Sequence, residues 1–415
     1  MSKKILLIIG ILIIVGVALF LVFTSKPQAE GESRVGFSIR EFLPFGKSDA
    51  PTIGEPTTET SNEDFESNIT PKTNTNQPIP RLRKISSEPV AGAAVFNIGT
   101  TSVVRFVEKG TGNVYEVKSD SLAVQRLTNT TIPKIVRAFW LPNATGFLAQ
   151  TLMPESEIIE TNFVKLNKNE IVGENLTPFN TTISKLPTGI KEISINPSGS
   201  KIFYYTANWS SNWFISNPDG TESSLVMSHP LTEWLPKWVT PDRVVMQTKG
   251  SSESIGFNYV FNTKNETLTK IGLGIRGISS NPNSDNSLNL VSVSDNFPQL
   301  FLIDNNNITS QKISADTLAE KCVWLEEKNP TVYCAIPIKL PNGNYPDVWY
   351  KGVVSTEDII EKIDLNNDIY YNVVNLSSES GEKIDVVDID ISPDETHLIF
   401  RNKIDGYLWM IKIGE

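Results

Sequence analysis

The feature that most constrains this fold is a recurring unit of short apolar strands, clearest near the carboxyl terminus. Residues 386–391, 397–401 and 407–413 are rich in Val, Ile, Leu, Tyr and Trp, and the connections between them hold Pro, Asp, Asn and Gly. That composition predicts three antiparallel strands joined by tight turns. Three strands cannot close a core alone, so the unit must pack against further copies of itself.

Weaker copies of this unit occur upstream, each marked by a strand that runs into a turn. The short alternating apolar runs predict an all-β fold. Successive marker prolines are separated by 55, 44 and 41 residues, and a final gap of 111 residues spans two units, the first without a proline. Repeats of about 40–50 residues with four strands each are typical of propeller blades. The marker prolines are Pro142, Pro197, Pro241, Pro282 and Pro393.

The unit resembles the WD40-like, TolB-type β-propeller repeat, in which a strand, a Ser-Pro-Asp-Gly turn and an apolar strand follow one another. The best matches are INPSGSKIFYYT at residues 195–206 and ISPDETHLIFRN at residues 391–402. The resemblance spans residues 81–413 and implies a propeller fold, with no catalytic residues to carry over. The whole layout, including KCVWL and VYCAIP within residues 321–337, also resembles membrane-anchored bacterial propellers.

The number of blades follows from counting these units. Six turns of the repeat are visible, and four further apolar runs precede the first of them, at residues 90–96, 103–107, 113–117 and 123–127. This predicts seven blades, with six or eight as alternatives. The last blade has three strands in sequence. We therefore expect residues 81–86 to supply its outer strand and close the ring, which removes two open sheet edges.

The amino-terminal part predicts a membrane anchor followed by a stalk. Residues 5–23 are an uninterrupted apolar run, and a helix of that length reaches about 28 Å, roughly one hydrocarbon core. Lys3 and Lys4 precede the run, which predicts a single-pass protein with residues 1–4 in the cytoplasm and the remainder outside. A cleaved signal peptide is the alternative. Residues 24–80 are predicted to be a juxtamembrane segment and a flexible linker rich in Pro, Thr, Ser and Asn, and residues 81–415 the propeller domain.

Charge and cysteine content exclude several function classes. The formal net charge is -10, which argues against a nucleic-acid partner. Two cysteines and two histidines exclude a cysteine-rich scaffold, the common four-ligand zinc sites built from cysteine and histidine, and an all-cysteine iron–sulfur cluster. Cys322 and Cys334 flank a predicted hairpin turn on the oxidising side of the membrane. They are expected to form a disulfide, with two buried thiols as the alternative.

Candidate ligand-binding residues lie in loops and on one inner strand. Trp209, Trp349 and Tyr350 fall in predicted surface loops, where aromatic rings can stack on sugars or anchor interfaces. The last two belong to residues 342–357, an insertion relative to the other blades. Asp388 and Asp390 lie two apart on a predicted inner strand, so they are expected to share the face that lines the central channel. Such carboxylates could hold Ca²⁺; the alternative is that they cap turns and face solvent.

No catalytic motif stands out. The sequence has no Gly-x-Ser-x-Gly elbow, no phosphate loop and no dinucleotide fingerprint, so no catalytic residue, metal site or cofactor is predicted. The predicted function is a membrane-anchored, extracytoplasmic module that binds or scaffolds envelope or surface proteins, peptides or glycans. One alternative is a glycosidase- or lyase-like propeller enzyme that uses channel carboxylates. Another is a structural subunit of an envelope assembly.

Overall fold

The computed structural model describes residues 78–153, 158–169, 177–294, 296–307, 309–326 and 329–414. These described residues form 28 strands in seven four-stranded antiparallel sheets, which confirms the prediction of a seven-bladed all-β propeller. No helix in the described ranges has the length and apolar character needed to cross a bilayer. The predicted residues 1–4, the anchor at 5–23 and nearly all of the linker at 24–80 lie outside the described residues.

Within each blade the strands follow one another from the centre of the ring outward, and only the last blade borrows a strand from elsewhere. Blades 1 to 6 take β2–β5, β6–β9, β10–β13, β14–β17, β18–β21 and β22–β25, and blade 7 takes β26, β27, β28 and β1. The strands and short helices are β1 (Leu82–Lys84), β2 (Val90–Ile98), β3 (Thr101–Glu108), β4 (Val114–Lys118), β5 (Val124–Arg126), β6 (Ile135–Trp140), β7 (Gly146–Leu152), β8 (Ile159–Lys168), β9 (Phe179–Lys185), β10 (Ile190–Ile195), β11 (Ile202–Ala207), β12 (Ser211–Ser216), β13 (Ser224–His229), β14 (Trp234–Thr240), β15 (Arg243–Thr248), β16 (Ile255–Asn262), β17 (Thr267–Arg276), β18 (Ser279–Pro282), β19 (Leu288–Ser294), β20 (Pro298–Asp304), β21 (Thr309–Ile313), a 3-10 turn (Ala319–Lys321), β22 (Cys322–Trp324), β23 (Thr331–Pro337), α1 (Asp347–Tyr350), β24 (Asp358–Asp364), β25 (Ile369–Asn375), α2 (Leu376–Ser380), β26 (Val386–Ile391), β27 (His397–Asn402) and β28 (Leu408–Lys412).

The ring closes where the first strand joins the last blade, as predicted. β1 pairs antiparallel with β28, with Leu82 opposite Ile411 and Lys84 opposite Trp409. The pairing continues past β1, because the Ile85 amide donates to the Leu408 carbonyl at 2.8 Å. Leu82 and Ile411 are both buried, so the register places the apolar face of the borrowed strand in the core between the blades.

The turns after the inner strands explain the repeat and correct one of its markers. In blade 3 the Asn196 side chain accepts a hydrogen bond from the Lys201 amide at 3.0 Å, and in blade 5 Asn283 accepts from the Leu288 amide at 3.0 Å. Asn283 is therefore the equivalent of Asn196. Pro282 is the last residue of β18 rather than part of the turn, so its use as an equivalent of Pro197 was wrong by two positions.

The blades are held together by apolar clusters that each draw on two neighbouring sheets. Between blades 3 and 4, Phe203 stacks on Trp213 at 4.7 Å and on Phe261 at 5.3 Å, and meets Trp238 edge-on at 6.3 Å. Near the axis, neighbouring inner strands lie so close together that some positions have no room for a side chain. A Cβ added to Gly92 of β2 would lie 2.1 Å from the Ala138 carbonyl oxygen of β6.

Candidate binding site in the central channel

Residues of the inner strands of blades 3 to 7, together with Pro142 after the inner strand of blade 2, line a cavity of about 650 Å³ in the central channel. At one end it reaches the turns between the first and second strands of the blades, where Pro142, Pro197 and Glu326 line it. Towards the other end Glu320 lines it, just before the inner strand of blade 6. A volume of this size is within the range of ligand pockets, so the channel is a candidate binding site.

One cation in the channel is held by neutral oxygen atoms. The Lys237 ammonium of β14 donates to Asn281 Oδ1 at 2.7 Å and to the Pro282 carbonyl oxygen at 3.2 Å, both on β18. The Asn281 amide nitrogen in turn donates to the Ala319 and Cys322 carbonyl oxygens, at 3.2 and 2.7 Å. These bonds fix the orientation of the amide, so its oxygen is presented to Lys237 and the ammonium keeps its place without a carboxylate.

One carboxylate in the channel is equally unusual. Asp390 of β26 accepts the Ile391 amide at 2.9 Å, and among the described residues neither Asp390 nor Lys237 forms an ion pair. Both side chains line the open channel and are exposed to it. The surrounding channel walls partly desolvate Asp390 and raise its pKa to about 6, although the Ile391 amide and the Lys237 ammonium favour its charged form. Desolvation likewise lowers the pKa of Lys237 to about 8, against the attraction of Asp390.

Other charged groups on the inner strands are paired, and Lys191 of β10 lines the separate cavity between blades 3 and 4. Arg137 of β6 bonds Glu192 of β10 at 2.8 Å, and Arg401 of β27 bonds Asp388 at 2.6 Å. Lys237 and Asp390 therefore differ from these neighbours, because their charges are left for something else to satisfy.

The insertion at residues 342–357 connects the second and third strands of blade 6. It lies on the face of the propeller that carries the corresponding connections of the other blades. Asp347 of α1 accepts hydrogen bonds from the Ser252 amide at 2.7 Å and from the Ser251 hydroxyl at 3.0 Å, both in blade 4. Tyr350 donates to Glu320 at 2.6 Å. Partial desolvation raises the pKa of Glu320 and that of Tyr350, and their bond lies at the end of the channel.

The insertion is anchored by a buried ionic cluster. Lys321 is 2% exposed and forms ion pairs with Asp358 at 2.7 Å and with Asp385 at 2.9 Å. Burial acts to raise the pKa of Asp385, but the Lys321 ammonium and the bonds from Thr356 outweigh it and hold the pKa below its ordinary value. The indole nitrogen of Trp349 also donates to Asp385, at 2.9 Å.

Several predicted ligand-binding residues take other roles. Trp349 is 4% exposed, so its expected surface position was wrong: its ring packs with Leu318 and Tyr345 under the insertion. Asp388 and Asp390 do not follow one regular strand, because the register shifts between Val387 and Asp390, and Asp388 has a positive φ of 52°. The expectation that they share one face therefore fails at this bulge.

Trp209 does lie at the surface, with 98% of its side chain exposed, in the connection between β11 and β12. The adjacent Asn208 lines a second cavity of about 350 Å³ between blades 3 and 4, together with Tyr205 and Trp234. The structure also joins Cys322 and Cys334 by a disulfide, which pairs them directly across β22 and β23.

Sequence reasoning missed Lys237, Asn281 and Glu320. A usable signal was present for Lys237, because a lysine occurs inside an apolar inner strand, immediately before Trp238 and four residues before the marker Pro241. No sequence signal indicated that Asn281 would be its partner. Within the described ranges no group of three or more His, Cys, Asp or Glu side chains is arranged to hold a metal ion.

Comparison with solved structures finds proteins of similar fold. It is similar to an oligogalacturonate lyase in complex with manganese, with a TM-score of 0.54 and 10% identity over 80% of this chain and 93% of that chain. It is also similar to an oligogalacturonate lyase from Vibrio parahaemolyticus, with a TM-score of 0.54 and 10% identity over 80% of this chain and 94% of that one. TolB from Acinetobacter baumannii matches with a TM-score of 0.41 and 10% identity, over 63% and 59% of the two chains.

At these identities the likeness shows the fold alone. No protein-family model matches the sequence, and no curated protein matches it. The fold and the channel therefore define the chain as a seven-bladed β-propeller with an open, charged central channel.

Proposed function

We propose that the protein is a membrane-anchored, extracytoplasmic binding module that takes a polypeptide segment of an envelope or surface protein into its central channel. The observation that carries this proposal is the pair Lys237 and Asp390, two charges in an open channel without an ion-pair partner among the described residues. A ligand that pairs with either charge gains a charge-assisted hydrogen bond, which is stronger than a bond between neutral groups.

The walls of the channel favour a peptide over a sugar. More than half of the lining residues are apolar or aromatic, with Ile195, Trp238, Val323, Trp324 and Ile389 among them. A sugar presents hydroxyl groups on every side and would leave several of them unpaired against such walls, whereas apolar peptide side chains fit them.

The extracytoplasmic location rests on the apolar run at residues 5–23 and on the disulfide between Cys322 and Cys334. Disulfides persist in oxidising compartments outside the cytoplasm. We further assign the blades to the WD40-like, TolB-type repeat, supported by the turns at residues 195–206 and 391–402. Thiol titration of protein freshly extracted from cells under denaturing conditions tests the location: no free thiol is expected, and two free thiols would contradict it.

The binding proposal is tested by photo-cross-linking in intact cells. A photoreactive amino acid is placed at Val323, inside the channel, in the full-length chain, and in a second version at Val353, which is 72% exposed on the insertion. We expect the Val323 probe to capture a defined polypeptide segment, identified by peptide mass spectrometry. The same adduct should disappear when Ile389→Trp fills the channel. Equal capture by the Val353 probe, or capture that persists in Ile389→Trp, would contradict the proposal.

An enzyme that uses channel carboxylates is the second candidate. The observation that favours it is the pair of pKa values, about 6 for Asp390 and about 8 for Lys237, since groups that exchange protons near neutral pH are typical of active sites. Asp388 is withdrawn from such a role by its bond to Arg401. Incubation of the protein with oligosaccharides that contain uronic acids, beside an Asp390→Asn control, tests this candidate: cleavage that is lost in Asp390→Asn would favour it.

A further inference from the structure

We propose that the channel recognises the free carboxyl terminus of the polypeptide that it binds, a statement that rests on the proposed function and adds the chemistry of the ligand. The recognising groups are Lys237, which supplies the cation, and Asp390, whose protonation state controls the affinity. The ligand class is therefore a peptide that ends in a free carboxylate and carries apolar side chains close to that end.

The geometry of Lys237 leaves part of its bonding capacity unused. A lysine ammonium has three N–H donors, and two of them are taken by Asn281 Oδ1 at 2.7 Å and the Pro282 carbonyl oxygen at 3.2 Å. Both acceptors are neutral, so the positive charge is oriented without being neutralised. A carboxylate that accepts the third N–H would form a charge-assisted hydrogen bond, about twice as strong as a neutral one.

Asn281 makes this arrangement rigid. It is 7% exposed, and its amide nitrogen is used by two backbone carbonyl groups, so it cannot rotate to offer a donor to the ligand. The Trp324 indole nitrogen donates to the Asn281 carbonyl oxygen at 2.9 Å and ties blade 6 to the same strand. The ammonium is thus preorganised, which reduces the entropy lost when a ligand binds.

Asp390 lies close enough to affect the pKa of Lys237, and among the described residues the two form no ion pair. When ionised it repels an entering carboxylate, and when protonated it can donate a hydrogen bond to that carboxylate. The other charged groups near this site are already paired or face its far end. They are Arg137 with Glu192, Arg401 with Asp388, Glu320 with Tyr350, and Glu326 at the mouth.

The pH dependence of binding follows from these two groups. As the pH rises through about 6, Asp390 ionises and adds a like charge beside the ligand carboxylate. As it rises further through about 8, Lys237 loses its proton and the attraction disappears. Affinity should therefore be highest below pH 6, intermediate near pH 7 and lowest above pH 8.

The test uses the full-length chain in mild detergent and an array of octapeptides with random, mainly apolar carboxyl-terminal halves. The peptides are attached through their amino termini and synthesised twice, with a free carboxylate and with a carboxamide. We expect binders among the free carboxylates that weaken about 10- to 100-fold on amidation, since one hydrogen bond to a charged group is at stake. Oligogalacturonates in solution serve as competitors that carry carboxylates without peptide.

Variants assign the effect to the two side chains. Lys237→Met should cause the same loss as amidation, Lys237→Arg should retain part of the affinity, and Lys339→Met, an exposed lysine outside the channel, should change nothing. Asp390→Asn should tighten binding at pH 7.5 and abolish the step near pH 6. Circular dichroism of each variant verifies that it is folded.

The outcomes separate this inference from the proposed function. Equal binding of carboxylate and carboxamide peptides, both lost in Ile389→Trp, would overturn the terminal recognition but keep the channel as a peptide site. Binding unaffected by folded Lys237→Met would also overturn it. If no peptide bound, or if the channel bound oligogalacturonates and no peptide, both the terminal recognition and the proposed function would be wrong.

Discussion

Two lysines in this propeller, Lys237 and Lys321, hold their ammonium groups in opposite ways. Lys321 is buried between two carboxylates, with Asp358 at 2.7 Å and Asp385 at 2.9 Å. Among the described residues, Lys237 bonds neutral oxygens alone, at 2.7 and 3.2 Å, and it faces an open channel. The first charge is neutralised by the protein itself, whereas the second is held in place but left available.

The difference separates a structural group from a binding group. The Lys321 cluster joins the start of blade 6 to β24 and to the connection before β26, and through Trp349 it carries the insertion. Its removal should damage the fold. The removal of Lys237 should leave the fold largely intact and affect the ligand, because Lys237 is exposed to the channel and bonds neutral acceptors, so no buried charge loses its partner.

The largest effect is expected for Lys321→Met. Breaking one side of a buried ion pair leaves its partner charges uncompensated and typically costs about 3–5 kcal/mol in the free energy of unfolding. Urea denaturation followed by tryptophan fluorescence measures the loss, with Lys237→Met as the matched variant. If Lys237→Met were the more destabilised of the two, the distinction between the lysines would be wrong.

The disulfide is expected to contribute the next largest effect. Cys322 immediately follows Lys321 and bridges a sequence separation of 12 residues, for which loop closure predicts about 2–4 kcal/mol. The double variant Cys322→Ala and Cys334→Ala should lose that amount in the same urea assay. Reduction of the wild type with dithiothreitol is the control and should give an equal loss. If the double variant lost as much stability as Lys321→Met while reduction of the wild type cost less, the ionic cluster would depend on the bridge.

The contributions of Asp390 and Asp385 to the free energy of unfolding should depend on pH with opposite signs. The folded pKa of Asp390, about 6, lies above its unfolded value of about 3.9, so its contribution to stability grows as the pH falls from 6 to 4. The folded pKa of Asp385 is below its unfolded value, so the stability it supplies near neutral pH is lost as the pH falls below 4. Unfolding free energies of Asp390→Asn and Asp385→Asn, measured from pH 3 to 8, test both signs. Asp390→Asn should lack the rise between pH 6 and 4.

The smallest effect on stability is expected at Trp209. An exposed side chain without partners contributes within about 0.5 kcal/mol, so Trp209→Ala should unfold like the wild type. It should nevertheless lower retention on immobilised chito-oligosaccharides if the cavity beside Asn208 binds glycans, because the stacking platform would be lost. Unchanged retention, with Trp234→Phe as a second variant of the same cavity, would exclude Trp209 from a glycan site.

The sequence was sufficient for the ring because the ring depends on local patterns. Alternating apolar residues and Asn- or Pro-containing turns, such as Asn196 to Lys201, are stabilised within a few residues of each other. Closure by β1 was predictable too, since an unpaired edge in the last blade demanded a fourth strand. The length of the insertion was visible in the sequence, but the burial of Trp349 was not. The residues that cover and bond Trp349, Leu318 and Asp385, lie outside the insertion.

Sequence by itself thus determined the blades, their order and the closing strand, because hydrogen bonds between neighbouring strands fix all three. Only the tertiary structure decided which charges are paired. Lys237 and Asn281 are 44 positions apart, Lys321 and Asp385 are 64 apart, and whether such groups meet depends on how the inner strands converge on the axis. The surroundings of Lys237 and Asp390 depend on that convergence. The local sequence therefore indicates neither the unpaired charge of Lys237 nor the raised pKa of Asp390.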